Sequence, residues 1–123
     1  FGIDAADQAT VEMWNRRIEL GLLSQVGSAW RNGPIVAKMA PGRFRQIPEA
    51  KEDGERAARA FYTRLDGWIG TRPFIAGERI SIADITALCI LDFARALKLG
   101  YGDDRPHLAR WHANVRARPS SRA

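Results

Sequence analysis

The chain has 123 residues, of which 46% are hydrophobic and 27% charged, a composition that suits one compact domain over residues 1–123 and excludes a disordered tail. No apolar run approaches the roughly 18–20 residues needed to span a bilayer, which argues against a membrane partner. The single cysteine, Cys89, excludes an internal disulfide framework and a cysteine-based metal cluster, and it fits a reducing, cytoplasmic setting.

Phe1-Gly2-Ile3-Asp4 has neither the basic start nor the apolar stretch of a secretory signal. The chain does not open on Met, so a piece of a longer protein is expected. The net charge of +5 falls at one end. Residues 95–123 hold Arg95, Lys98, Arg105, Arg110, Arg116, Arg118 and Arg122 against Asp103 and Asp104. Such a segment could meet nucleic acid or an acidic partner. No aromatic stacking platform or helix-turn-helix pattern accompanies it, so a solvated helix face is the better reading and nucleic acid is not expected.

Four helices are predicted. The first runs from about Asp7 to Arg31, because Val11, Trp14, Ile18, Leu22 and Val26 recur at helical spacing. Asp4 or Asp7 can cap it, and Asn32-Gly33-Pro34 ends it. Residues 33–47, with Pro34, Lys38, Pro41, Gly42, Arg43 and Arg45, read as a connection without regular structure, of a length that is usually functional or mobile. The second helix starts near Pro48, with Glu49, Glu52 and Asp53 at its positive end and Gly70 closing it. Its buried stripe is Ala57, Ala58, Phe61, Leu65, Trp68 and Ile69, and Gly54 and Gly67 imply either fraying or close helix contact.

The third helix, about Ile82 to Leu97, is apolar nearly all round and therefore predicted to be enclosed by the others. Cys89, at its middle, is expected to be inert. Asp92 requires a partner, either Arg95 or a distant arginine, in a structural ion pair. The fourth helix covers about Pro106 to Ala117, with Leu108, Trp111 and Val115 inward. His107 and His112 are too far apart for a metal pair at one-turn spacing, and both are expected to face solvent. No phosphate loop, metal-ligand cluster or nucleophile elbow is present in the sequence. The fold class is all-α, a helical bundle with a buried central helix.

The most informative stretch is Phe74-Ile-Ala-Gly-Glu-Arg-Ile-Ser-Ile-Ala-Asp-Ile-Thr-Ala87. Ser81 can cap the third helix while the Asp84 carboxylate reaches back to the Ser81 N–H, a capping box with Asp in place of Glu. Ile80 and Ile85 occupy the two positions of a hydrophobic staple. Inside a core, uncapped N–H groups would cost about 1–3 kcal/mol each.

This pattern resembles the start of the central helix in the C-terminal domain of cytosolic glutathione S-transferases. The likeness extends back to Trp14-Asn15-Arg16-Arg17 and forward to Pro106-His107-Leu108-Ala109-Arg110-Trp111, so it covers nearly the whole chain. It implies a helical domain whose parent enzyme conjugates glutathione to small apolar electrophiles, or uses it to reduce them, in detoxification. The thioredoxin-like domain that would bind most of the glutathione and activate its thiol is absent from this sequence, so no catalytic residue is expected here.

By position in that family, Met13, Arg16, Arg17, Leu20 and Ser24 are the candidates for the face lining the electrophile pocket, and part of a homodimer contact would come from the first two helices. An arginine there would stabilise a thiolate or a glutathione carboxylate. The alternative for Arg16 is a surface pair with Glu12 or Glu19. Trp14 and Trp111 are expected to anchor the core, and Asp84 to cap rather than catalyse. Relatives of the same fold that serve only protein assembly give the competing reading, a non-catalytic protein–protein interaction module.

Overall fold

The computed structural model describes residues 2–122. Its helices are α1 (Ala5–Ile18), a π-turn (Glu19–Leu23), α2 (Ser24–Arg31), α3 (Pro34–Met39), α4 (Pro48–Ile69), α5 (Ile82–Ala96) and α6 (Pro106–Arg116), with a 3-10 turn at Pro119–Arg122. The described residues contain no strand, only one isolated bridge between Phe74 and Gly77. None of their helices is long and apolar enough to cross a membrane.

Of the two predicted caps, Asp4 is the one used, accepting from the Asp7 N–H at 2.8 Å. From there α1, the π-turn and α2 form one continuous helical run, as the apolar spacing predicts. The π-turn adds a residue to the ladder, so the Ser24 N–H reaches back to the Glu19 carbonyl. Gly21 lies where Phe61 of α4 presses in: a Cβ on it would sit 2.5 Å from the ring. One turn further, Gly54 of α4 allows equally close approach, since its Cβ would come within 2.7 Å of the Gln25 carbonyl oxygen. Close contact, not fraying, explains Gly54. Gly67 meets nothing within 4 Å.

The core gathers Ile18, Leu22 and Val26 from the first run, Phe61, Tyr62, Leu65 and Ile69 from α4, Ala83, Ala87, Leu91 and Ala94 from α5, and Leu108, Trp111 and Val115 from α6. Each large apolar side chain buried here contributes roughly 1.5–3 kcal/mol against exposure. The Tyr62 hydroxyl donates to the Leu99 carbonyl at 2.9 Å, and burial pushes its pKa up to about 12.

The capping box on α5 forms as predicted. The Ser81 N–H donates to Asp84 Oδ2 at 2.9 Å, and the Ser81 hydroxyl oxygen accepts from the Ala83 N–H at 3.2 Å. Asp84 does more than cap. Its Oδ1 also accepts from the Ile75 N–H at 2.9 Å and from Trp111 Nε1–H at 2.7 Å. One buried carboxylate therefore joins the 74–81 loop, α5 and α6.

Three expectations are corrected, and one left open is decided. Residues 33–47 contain α3, which Pro34 starts and buried Val36 holds to the bundle. Helix α5 is not enclosed on every side: Ile85, Cys89 and Phe93, one turn apart, lie along an open face, with Ile85 56% exposed. Ile85 thus occupies its staple position beside half-buried Ile80 without being buried, and Cys89 is exposed. His112 is buried rather than solvent-facing, and His107 is half-buried. Asp92 takes the distant arginine, Arg116, at 2.5 Å.

Candidate functional site: the outward face of the first helical run

Residues 13, 16, 17, 20 and 24 fall on one side of a helical run whose other side carries Val11, Ile18, Leu22 and Val26. The structure accordingly leaves Met13, Arg16, Arg17, Leu20 and Ser24 all exposed. Leu20 stands 70% exposed within the π-turn, and Met13 is 40% exposed. The Ser24 hydroxyl is turned back onto the Glu19 carbonyl at 3.4 Å, the acceptor that its own N–H also reaches in the π-turn.

The two arginines part company. Arg16 is held between Glu12 at 2.7 Å and Glu19 at 3.3 Å, the surface pairing that the spacing allows. Arg17 joins no ion pair among the described residues. Its guanidinium instead lies over the rings of Trp14, at 4.7 Å, and Trp68, at 4.8 Å. Arg72 lies over Trp14 at 5.0 Å and donates to the Trp68 carbonyl, with its Nε buried and without a partner. Arg64 completes the group over Phe61, at 5.5 Å. The rings meet edge to face, Trp14 on Trp68 at 5.5 Å and Phe61 on Trp68 at 5.7 Å.

Three guanidiniums without carboxylate partners thus rest on three aromatic rings. Stacking spreads and desolvates their charge, which suits reception of an anionic or electron-rich planar group. Sequence reasoning found Trp14 and Arg17 but placed Trp68 simply in the core, where it is only partly buried. The spacings Trp14–Arg17 and Arg64–Trp68, one helical turn each, were available signals. Arg72, in a loop, offered none.

A second cluster joins α5 to α6. The Tyr101 hydroxyl and His112 Nδ1 are 2.7 Å apart, while His112 Nε2 and Asp92 Oδ1 face each other at 3.7 Å, too far for a hydrogen bond. Burial lowers the His112 pKa, and the nearby Asp92 carboxylate works against that shift. The sequence had no means of pairing these groups, which lie on different elements. Among the described residues, no group of three or more His, Cys, Asp or Glu side chains could hold a metal ion.

Residues 13–119 match the family described as "Glutathione S-transferase, C-terminal domain". The chain is 37% identical over 76 residues to human glutathione S-transferase theta-2B, a match covering 58% of this chain and 30% of that protein. It is 31% identical over 77 residues to human elongation factor 1-gamma, covering 61% of this chain and 18% of that protein. Among solved structures it resembles Gtt2 from Saccharomyces cerevisiae, with 28% identity and a TM-score of 0.85, covering 98% of this chain and 58% of that one. The chain therefore spans well under two thirds of each of these relatives.

Proposed function

Because this chain belongs to the glutathione S-transferase C-terminal-domain family, we propose that residues 1–123 act as the C-terminal domain of a cytoplasmic glutathione transferase. In that role the face bearing Met13, Arg16, Arg17, Leu20 and Ser24 walls the pocket for a small apolar electrophile, and the first helices contribute part of a homodimer contact. Glutathione is held mainly by a thioredoxin-like domain, which docks against the apolar line of Ile85, Cys89 and Phe93 on α5. The activity is conjugation or glutathione-dependent reduction in detoxification.

The observation that carries this reading is the exposed, carboxylate-free Arg17 on its tryptophan platform, beside uncovered Met13 and Leu20. A guanidinium there stabilises a developing thiolate or a carboxylate of the tripeptide, whereas Arg16 is already neutralised by two glutamates. Turnover of a chloronitrobenzene with glutathione tests the reading. The chain alone is expected to be inactive, and the chain joined to a thioredoxin-like domain active. In the joined protein Arg17→Ala should lower kcat/KM by about tenfold or more and Arg16→Ala by much less, since a charge-assisted hydrogen bond is worth about 1.5–3 kcal/mol. An Arg17→Ala protein with unchanged kinetics would remove Arg17 from the site.

A second reading, a non-catalytic assembly module, is favoured by the likeness to elongation factor 1-gamma and by the basic segment from Arg95 onward. It predicts stable association with a protein partner and no turnover even in the longer chain.

A further inference from the structure

The segment between α2 and α4 is left unused by the proposed function, and its charge and exposed side chains have a common explanation. Residues 31–47 contain Arg31, Lys38, Arg43 and Arg45 and no Asp or Glu. The near-neutral balance of the first 94 residues therefore hides a strongly cationic patch. All four cations are exposed, and none joins an ion pair among the described residues. Two of them flank one ring: Arg31 lies over Phe44 at 4.6 Å and Arg43 at 5.6 Å.

Apolar side chains stand out among these charges. Met39 is 73% and Ile35 42% exposed, and Ile47 is also uncovered. Ile35 and Met39 are one turn apart on α3 and both exposed, flanking buried Val36, so they project together. A protein partner would need a concave seat for them, whereas the interface of a bilayer accepts projecting apolar groups directly, with cations at headgroup level. We infer that residues 31–47 form a peripheral docking surface for an anionic lipid bilayer. Ile35 and Met39 enter the headgroup boundary, and Arg31, Lys38, Arg43 and Arg45 pair with lipid phosphates. That no helix of the described residues is long and apolar enough to cross a bilayer bears on crossing one and not on lying against one.

Cosedimentation with vesicles of phosphatidylcholine, with or without roughly one-third phosphatidylglycerol, tests this on the whole chain. Binding is expected only to the anionic vesicles and should be lost at high salt. Arg43→Glu with Arg45→Glu should weaken it by at least about 25-fold, at roughly fivefold per cation removed. Met39→Glu should weaken it by about tenfold or more through the lost insertion. Arg118→Glu, in the other basic segment, should leave it unchanged, and circular dichroism melts should show every variant folded.

Absence of pelleting overturns the inference. So does binding that survives the double reversal, which would assign it to the C-terminal basic segment. Equal binding to polyglutamate or RNA, insensitive to Met39→Glu, overturns it as well, because charge alone would then suffice. A Met39→Glu chain that turns from dimer to monomer would make a second copy the occupant.

Discussion

Replacing Asp84 separates the two roles of this carboxylate. Its Oδ2 serves the cap through the Ser81 N–H, while its Oδ1 serves the tertiary fold through the Ile75 N–H and Trp111 Nε1–H. In Asp84→Asn the amide oxygen can keep the two Oδ1 bonds. The amide nitrogen then faces the Ser81 N–H, donor against donor, with only the Ser81 hydroxyl, at 3.4 Å from Oδ2, as an acceptor. One orphaned buried N–H and two bonds stripped of charge assistance should cost about 2–4 kcal/mol. Asp84→Ala orphans all three N–H groups. Release of the buried charge offsets part of that loss, leaving a cost of about 3–6 kcal/mol. Against a total stability of about 5–15 kcal/mol for a domain, the alanine chain should be close to unfolding.

Urea titration followed by far-ultraviolet circular dichroism and tryptophan fluorescence measures both variants. The asparagine chain should show a midpoint lower by roughly 1–2 M. Tryptophan fluorescence, to which Trp111 contributes with the other three tryptophans, should report the same transition as the helix signal, since the Trp111 ring is held by the same carboxylate. An asparagine variant within about 0.5 kcal/mol of the parent would refute the reasoning, because surface-like changes fall in that range. So would an alanine variant no worse than the asparagine one.

Two glycines in one helix should respond oppositely. Gly54→Ala should destabilise by about 1–3 kcal/mol through overpacking against Gln25 and Ala29, and Gly67→Ala, facing open space, should stabilise by about 0.5–1 kcal/mol; chemical denaturation measures both. His112, whose folded pKa is lowered, binds fewer protons folded than unfolded, so its contribution is present above about pH 6.5 and is lost as pH falls from there through the lower folded pKa. A urea midpoint that drops from pH 7.5 to 5.5, with the drop reduced in His112→Gln, is the expected result. Exposed Cys89 should react with Ellman's reagent in the native chain, one thiol per molecule without denaturant; a thiol silent until unfolding would contradict the open face of α5.

The helices of the bundle were legible because each depends on neighbours close in the chain. Apolar spacing placed the first run, α4, α5 and α6. The cap at Ser81 and Asp84 was readable because its donors and acceptors lie within three residues. Even α3 had a local signal in Pro34, outweighed by the glycine, proline and charge around it.

Tertiary structure decided whatever depended on distant partners. Period and composition mark α5 as apolar all round but cannot say which side stays open, so Cys89 and Ile85 were misplaced. His112 is buried because Tyr101 and Asp92 arrive from other elements. Arg16 and Arg17 are adjacent and chemically identical in the sequence. They differ because Glu12 and Glu19 share one side of their own helix with Arg16, while Trp68 and Arg72, contributed by α4 and the loop after it, meet Arg17 and Trp14 only once the chain has folded back. Helical spacing acts over a turn or two; a site assembled from positions some fifty residues apart exists only when packing brings them together.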